Sequence, residues 1–113
     1  MWYDIDGIPI SIKEWGRLHA DEKYVRVAVT TIMDGADPAV VWEVSTVWLG
    51  LDHSFDDHGP PLIFETMVFG EGSSTDEACV RYSTLFDAKL GHHAMAATVA
   101  ASVTDPIVMS PEK

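Results

Sequence analysis

The sequence predicts an α+β domain: an antiparallel sheet of three to five strands with two helices packed on one face. Three observations carry that expectation. The stretch Trp42 to Phe69, WEVSTVWLGLDHSFDDHGPPLIFETMVF, holds two runs rich in β-branched and aromatic residues around a polar, turn-forming loop. A third run, Tyr24 to Met33, alternates Val25, Val27 and Val29 with other residues in the period-two pattern of a half-buried strand. Capping signatures stand at Ser11 and Thr84, before segments whose apolar residues return at helical spacing.

Taken in order, Trp2 to Ile10 reads as a two-stranded ribbon turning at Asp6-Gly7, a hairpin dipeptide. Ser11-Ile12-Lys13-Glu14 is a capping-box pattern, with Ser11 as N-cap and Glu14 reaching back to it. The helix runs to about Ala20 and buries Ile12, Trp15 and Leu18. Strands follow at 24–33, 40–51 and 62–69, with a turn at Asp34 to Pro38 and a Gly59-Pro60-Pro61 lead into the third. Glu71 to Glu77 is a polar loop, and Val80 to Ser83 forms a short further strand. The last helix spans 84–103, with Ala88, Gly91, His92, Met95 and Val99 along its sheet-facing stripe. Residues 1–103 form one domain, and 104–113 a flexible tail after Pro106 stops the helix.

Charge and composition bound the function. Eighteen acidic residues against seven Lys and Arg give a formal net charge of −11. Nucleic-acid binding and docking on an anionic membrane both need clustered cations, and no two basic residues are adjacent. Plain solubility, a partner with a basic surface or mimicry of a polyanion fits this balance. A single cysteine, Cys79, leaves no internal disulfide and no cysteine zinc site. Without a membrane-length apolar run or a signal-peptide pattern, the cytoplasm is the expected location.

The candidate site comes from pairing the strands as simple hairpins. One register sets Val29 opposite Val44 and Trp48 opposite Glu65. It puts Val25, Val27, Val29, Val44, Thr46, Trp48, Ile63, Glu65 and Met67 on the helix-covered face, with Thr46 and His92 as partners for the Glu65 carboxylate. A slip of one residue moves Glu65 to the other face. The loop Asp52-His53-Ser54-Phe55-Asp56-Asp57-His58 is dense in carboxylates and imidazoles. Its spacing matches no established metal motif, and no metal or cofactor is expected there. Trp42 is a candidate partner anchor, since aromatics dominate interface hot spots. The candidate binding set is therefore Asp52, His53, Asp56, Asp57, Trp42, Glu65 and His92. No nucleophile elbow, phosphate loop or dinucleotide fingerprint occurs, and no residue is assigned a catalytic role.

The segments YDIDGIPISIKEW (3–15), VSTVWLGLDHSF (44–55), PPLIFETMVFG (60–70) and RYSTLFDAKLGHHAM (81–95) resemble small proteins encoded by bacteriophages and prophages. The resemblance implies phage origin and an accessory role in the host cell. The expected function is binding of a host protein without catalysis. Its most concrete form is anti-CRISPR-like: inhibition of a bacterial defence nuclease through an acidic surface. The alternative expectation is a small metal-assisted hydrolase or nucleotide-binding protein using Asp52, His53, Glu65 and His92.

Overall fold

The computed structural model describes residues 1–52, 59–70 and 78–110. The ribbon forms first, β1 (Trp2–Tyr3) against β2 (Pro9–Ile10). It turns through Gly7 at φ +79°, a backbone state open to glycine at little cost. Helix α1 (Ile12–His19) starts where Ser11 accepts the Glu14 amide. The reciprocal half of the expected capping box is not made, because the Glu14 carboxylate pairs with Arg17 one turn on. A second short helix, α2 (Glu22–Val25), capped by Asp21, occupies residues expected to open the first long strand.

The main sheet contains β3 (Arg26–Asp34), β4 (Asp37–Trp48), β5 (Phe64–Gly70), β6 (Ala78–Tyr82) and β7 (Pro106–Met109), in the order β6-β5-β4-β3-β7 and antiparallel throughout. Between β6 and β7 runs α3 (Leu85–Ala101), capped by Thr84. The described residues thus show an α+β fold with a five-stranded antiparallel sheet, a two-stranded ribbon and three helices. No helix among them is long and apolar enough to cross a membrane.

The end of the chain departs from the sequence reading. Pro106–Met109 lies in the segment expected as a tail, yet it pairs with β3, Thr31 opposite Met109 and Met33 opposite Ile107. The Asp34 carboxylate prepares this return. It accepts the amides of Ala36 at 2.8 Å and Thr104 at 3.3 Å, and the Gly35 amide donates to the Asp105 carbonyl at 2.6 Å. The Ala36 amide first, and the Thr104 amide after it, hold the Asp34 carboxyl below its usual range.

Register is the second departure. Thr30, not Val29, stands opposite Val44, and Phe64, not Glu65, opposite Trp48. One face therefore carries Thr30, Ile32, Val44, Thr46, Trp48, Phe64, Thr66 and Val68, all buried. An irregularity between Arg26 and Ala28 lets Val27 enter the core as well. The core has two centres. One gathers Val27, Trp48, Ile63, Phe64 and Ala88; the other gathers Ile32, Val44, Val68 and Val99, with Met95 against them. The α3 stripe expected from its spacing is the one that packs, with Ala88, His92 and Val99 buried.

Aromatic packing closes the ribbon end. Trp15 stacks between Trp2 and His19 at 4.6 and 4.7 Å, and Tyr24 meets Trp48 edge-on at 4.9 Å. Each buried polar tip finds a partner. Trp15 donates to the Leu49 carbonyl, Trp48 to the Tyr3 carbonyl, and Tyr24 accepts the Ile5 amide. Gly50, at φ +71°, lies directly against both Trp15 and Trp48, where any side chain would collide.

Candidate functional site

Side chains alternate across the sheet, so its two faces offer different chemistry. On the α3 side, His92 is 4% exposed and sits between two strands. Its Nδ1 meets Thr46 Oγ1 at 2.7 Å and its Nε2 meets Thr30 Oγ1 at 2.8 Å. Thr46 also bonds Thr66 at 2.5 Å, and Thr30 bonds Ser110 at 3.0 Å. Thr66 in turn interacts with the Tyr82 hydroxyl. Gly91 makes room for that tyrosine, since a Cβ there would run into its ring. The chain Tyr82–Thr66–Thr46–His92–Thr30–Ser110 thus crosses the interior and ends at an exposed serine. Burial pushes the His92 imidazole below its ordinary pKa, and His93 beside it adds to the effect. At neutral pH His92 is uncharged, one ring nitrogen donating and the other accepting. Both nitrogens are engaged by protein hydroxyls, so neither is presented to a metal or substrate.

The opposite face is different. Cross-strand rows run Ile107–Met33–Val41, Met109–Thr31–Glu43–Phe69, Val29–Ser45–Met67–Cys79 and Val47–Glu65–Arg81. Three of the five methionines in the chain, Met33, Met67 and Met109, lie here. Glu43 and Phe69 are directly opposite each other and exposed, Phe69 at 43%. Two shallow hollows share Glu43 as their common wall. One is bounded by Val29, Ser45, Val47 and the α1–α2 residues His19, Glu22 and Val25, the other by Thr31, Val41, Phe69 and Gly70. Among the described residues no ion pair or hydrogen bond engages the Glu43 carboxylate.

Glu65 belongs to this open face, which corrects the expected placement beside Thr46 and His92. Its position is set by the register: with Thr46 opposite Thr66, Val47 and Glu65 must point the other way. Its partner is Arg81 on β6, Nε to Oε2 at 3.0 Å. The structure does join Thr46 to His92, without the carboxylate. The other candidates are dispersed. Asp52 accepts the Leu62 amide at 2.9 Å and so fastens the strand that follows the loop. Trp42 is half-buried, its ring against Gly70 beside the Ile32–Val44 core. His53, Asp56 and Asp57 lie outside the described residues, as does the 71–77 loop. Among the described residues no group of three or more His, Cys, Asp or Glu is placed to hold a metal ion.

Sequence reading missed Thr30, Thr66 and Ser110 of the buried chain and Glu43 and Phe69 of the open face, and Met67, expected on the covered face, lies on the open one with Ser45. A threonine inside each of three paired strands was the available signal for Thr30 and Thr66. Comparison with family models, with curated proteins and with solved structures gives no match to this chain.

Proposed function

We propose that this protein works without catalysis, by binding a partner protein with a basic surface through the open face of its sheet. The observation that carries the reading is the face itself: Met33, Met67, Met109 and exposed Phe69 stand among polar residues, with an unengaged carboxylate at the wall between two hollows, one of which Arg26 also borders. Methionine suits such a surface because its flexible, polarisable side chain adapts to different contours. An anchor of Lys or Arg would lay its aliphatic stem along Val29, Val41 or Val47 and bring its charge to Glu43. A second copy fits poorly, since each chain carries a formal charge of −11 and association would bring like charges together. The phage resemblance directs the search to host proteins, and a defence nuclease with a basic nucleic-acid-binding groove is the first to test. Residence in the host cytoplasm belongs to the same reading.

The test is affinity capture from host lysate with the wild-type chain, Phe69→Asp and Glu43→Lys, each checked for folding by circular dichroism. A basic protein retained by the wild type, lost by both variants and released as salt rises supports the proposal. Capture that survives both substitutions refutes it.

A further inference from the structure

From the hydrogen-bond chain through the interior we infer that His92 and Ser110 form an acid-sensitive latch that holds β7 on the edge of the sheet. The geometry is a closed path from α3 to the last strand. His92 is tied to Thr30 on β3, and Thr30 to Ser110, the residue just after β7. Ser110 is the exposed end of the path, so this is where water reaches it first.

β7 is lightly held. It has four residues, all exposed, and pairs on one side with β3. Its apolar Ile107, Val108 and Met109 remain about half open to solvent. Short, exposed elements open independently of the rest of a fold.

Among the described residues a proton on His92 finds no carboxylate beside it to neutralise it. β3 offers Thr30, and its nearest acid on that face, Asp34, is four residues away, about 13 Å along a strand. β4 and β5 offer Thr46 and Thr66 among Val44, Trp48, Phe64 and Val68. β6 offers the neutral Tyr82. On α3 itself, His93 and the exposed Lys89 bring only like charge, and Asp87 lies in the first turn, more than a turn away from His92. Glu43 and Glu65 project from the other face. The hydroxyls can reorient to accept from both ring nitrogens, but they carry no negative charge. Protonated His92 therefore gains most by meeting water, and the shortest way is past Thr30 and Ser110. Detachment of β7 opens that way.

Burial lowers the folded-state pKa of His92 below the ordinary 6.5. In the opened form the ring meets water and returns toward that value. Opening therefore takes up a proton and becomes easier as pH falls below about 6.5, by up to tenfold per pH unit until the folded-state value is passed. Because Ile107 and Met109 form one border of the open face, opening would also reshape that surface. This last consequence rests on the binding proposal; the latch does not.

The experiment is amide hydrogen exchange by NMR between pH 7.5 and 5, corrected for intrinsic rates, comparing the β7 amides that bond β3 with those of Thr66 and Val68 in β5. Expected is a progressive loss of β7 protection below pH 6.5 while β5 stays protected. His92→Gln, which keeps two hydrogen-bonding groups without a titrating ring, should remove the pH dependence. Ser110→Ala should lower β7 protection several-fold already at pH 7.5. Overturning results are β7 protection that does not change with pH, loss that persists unchanged in His92→Gln, or parallel loss in β5. Should His92→Gln not fold, a Ser110→Ala chain with wild-type β7 protection is enough to reject the latch.

Discussion

Replacing Thr46 by Val should cost far more stability than replacing Thr30 by Val, although both are buried threonines bonded to the same histidine. The two substitutions keep the side-chain shape and remove one hydroxyl. At position 46 that hydroxyl serves two fully enclosed partners, His92 Nδ1 and Thr66 Oγ1. Each buried group left unpaired costs about 1–3 kcal/mol. The added methyl returns roughly 1 kcal/mol of apolar burial. The net loss is about 1–5 kcal/mol, a large share of the roughly 5–15 kcal/mol that stabilises a typical domain. At position 30 the partners are His92 Nε2 and Ser110, and exposed Ser110 can turn to water. One orphan remains, and the same offset leaves about 0–2 kcal/mol. Urea unfolding with constant slope measures both. Adding Thr66→Val to Thr46→Val should cost less than Thr66→Val alone, since its partner is already absent. Equal losses at 46 and 30, or strictly additive behaviour of 46 and 66, would refute the shared chain.

Glu65→Gln should change stability by less than about 1 kcal/mol, because a partly exposed Arg81 pair contributes little, and a urea midpoint near wild type would confirm it. Stability should decline as pH falls below about 6.5, since the unfolded chain protonates His92 more readily than the folded one. The Asp34 contribution should persist until below the ordinary carboxyl value of 3.8, its folded-state pKa being lowered, so thermal melts across pH separate the two in wild type and His92→Gln. Gly91→Ala, which gains up to about 1 kcal/mol of helix propensity, should still destabilise by roughly 1–3 kcal/mol through collision with Tyr82, and a raised melting temperature would contradict that packing.

The elements were legible in the sequence where a local rule has one reading. Thr84 before a stripe of Ala88, His92 and Val99 specifies a capped helix and the face it buries, and that face packs on the sheet. Val44, Thr46 and Trp48 share a face for the same reason: a long strand cannot change its own alternation without a bulge. The first long strand failed because valines at 25, 27 and 29 look continuous. Asp21 instead caps a helical turn through Val25, and the irregularity at Arg26–Ala28 reverses the parity of the rest of β3. By sequence Pro106 marks an end. It is tolerated because β7 is an edge strand, and Asp34 and Gly35 fasten the chain as it returns.

The site was less legible because it depends on parity between strands rather than within them. Moving the β4–β5 pairing by one residue exchanges Glu65 for Thr66 beneath His92, and with it a charged pair for a neutral hydroxyl chain. Energetics favour the observed choice: a buried carboxylate needs a cation or several donors, while a threonine needs one partner and buries a methyl. Arg81 is the residue that stabilises the outcome. On β6, opposite Glu65, it can meet the carboxylate only on the open face. Glu43 shares that face but not that partner. It has no arginine opposite it, only Phe69 on β5 and Thr31 on β3, so its charge remains available to a partner. One register thus moves Glu65 to the solvent side, where Glu43 already lies, leaves His92 neutral inside, and separates the part of the sheet that holds the fold together from the part able to bind.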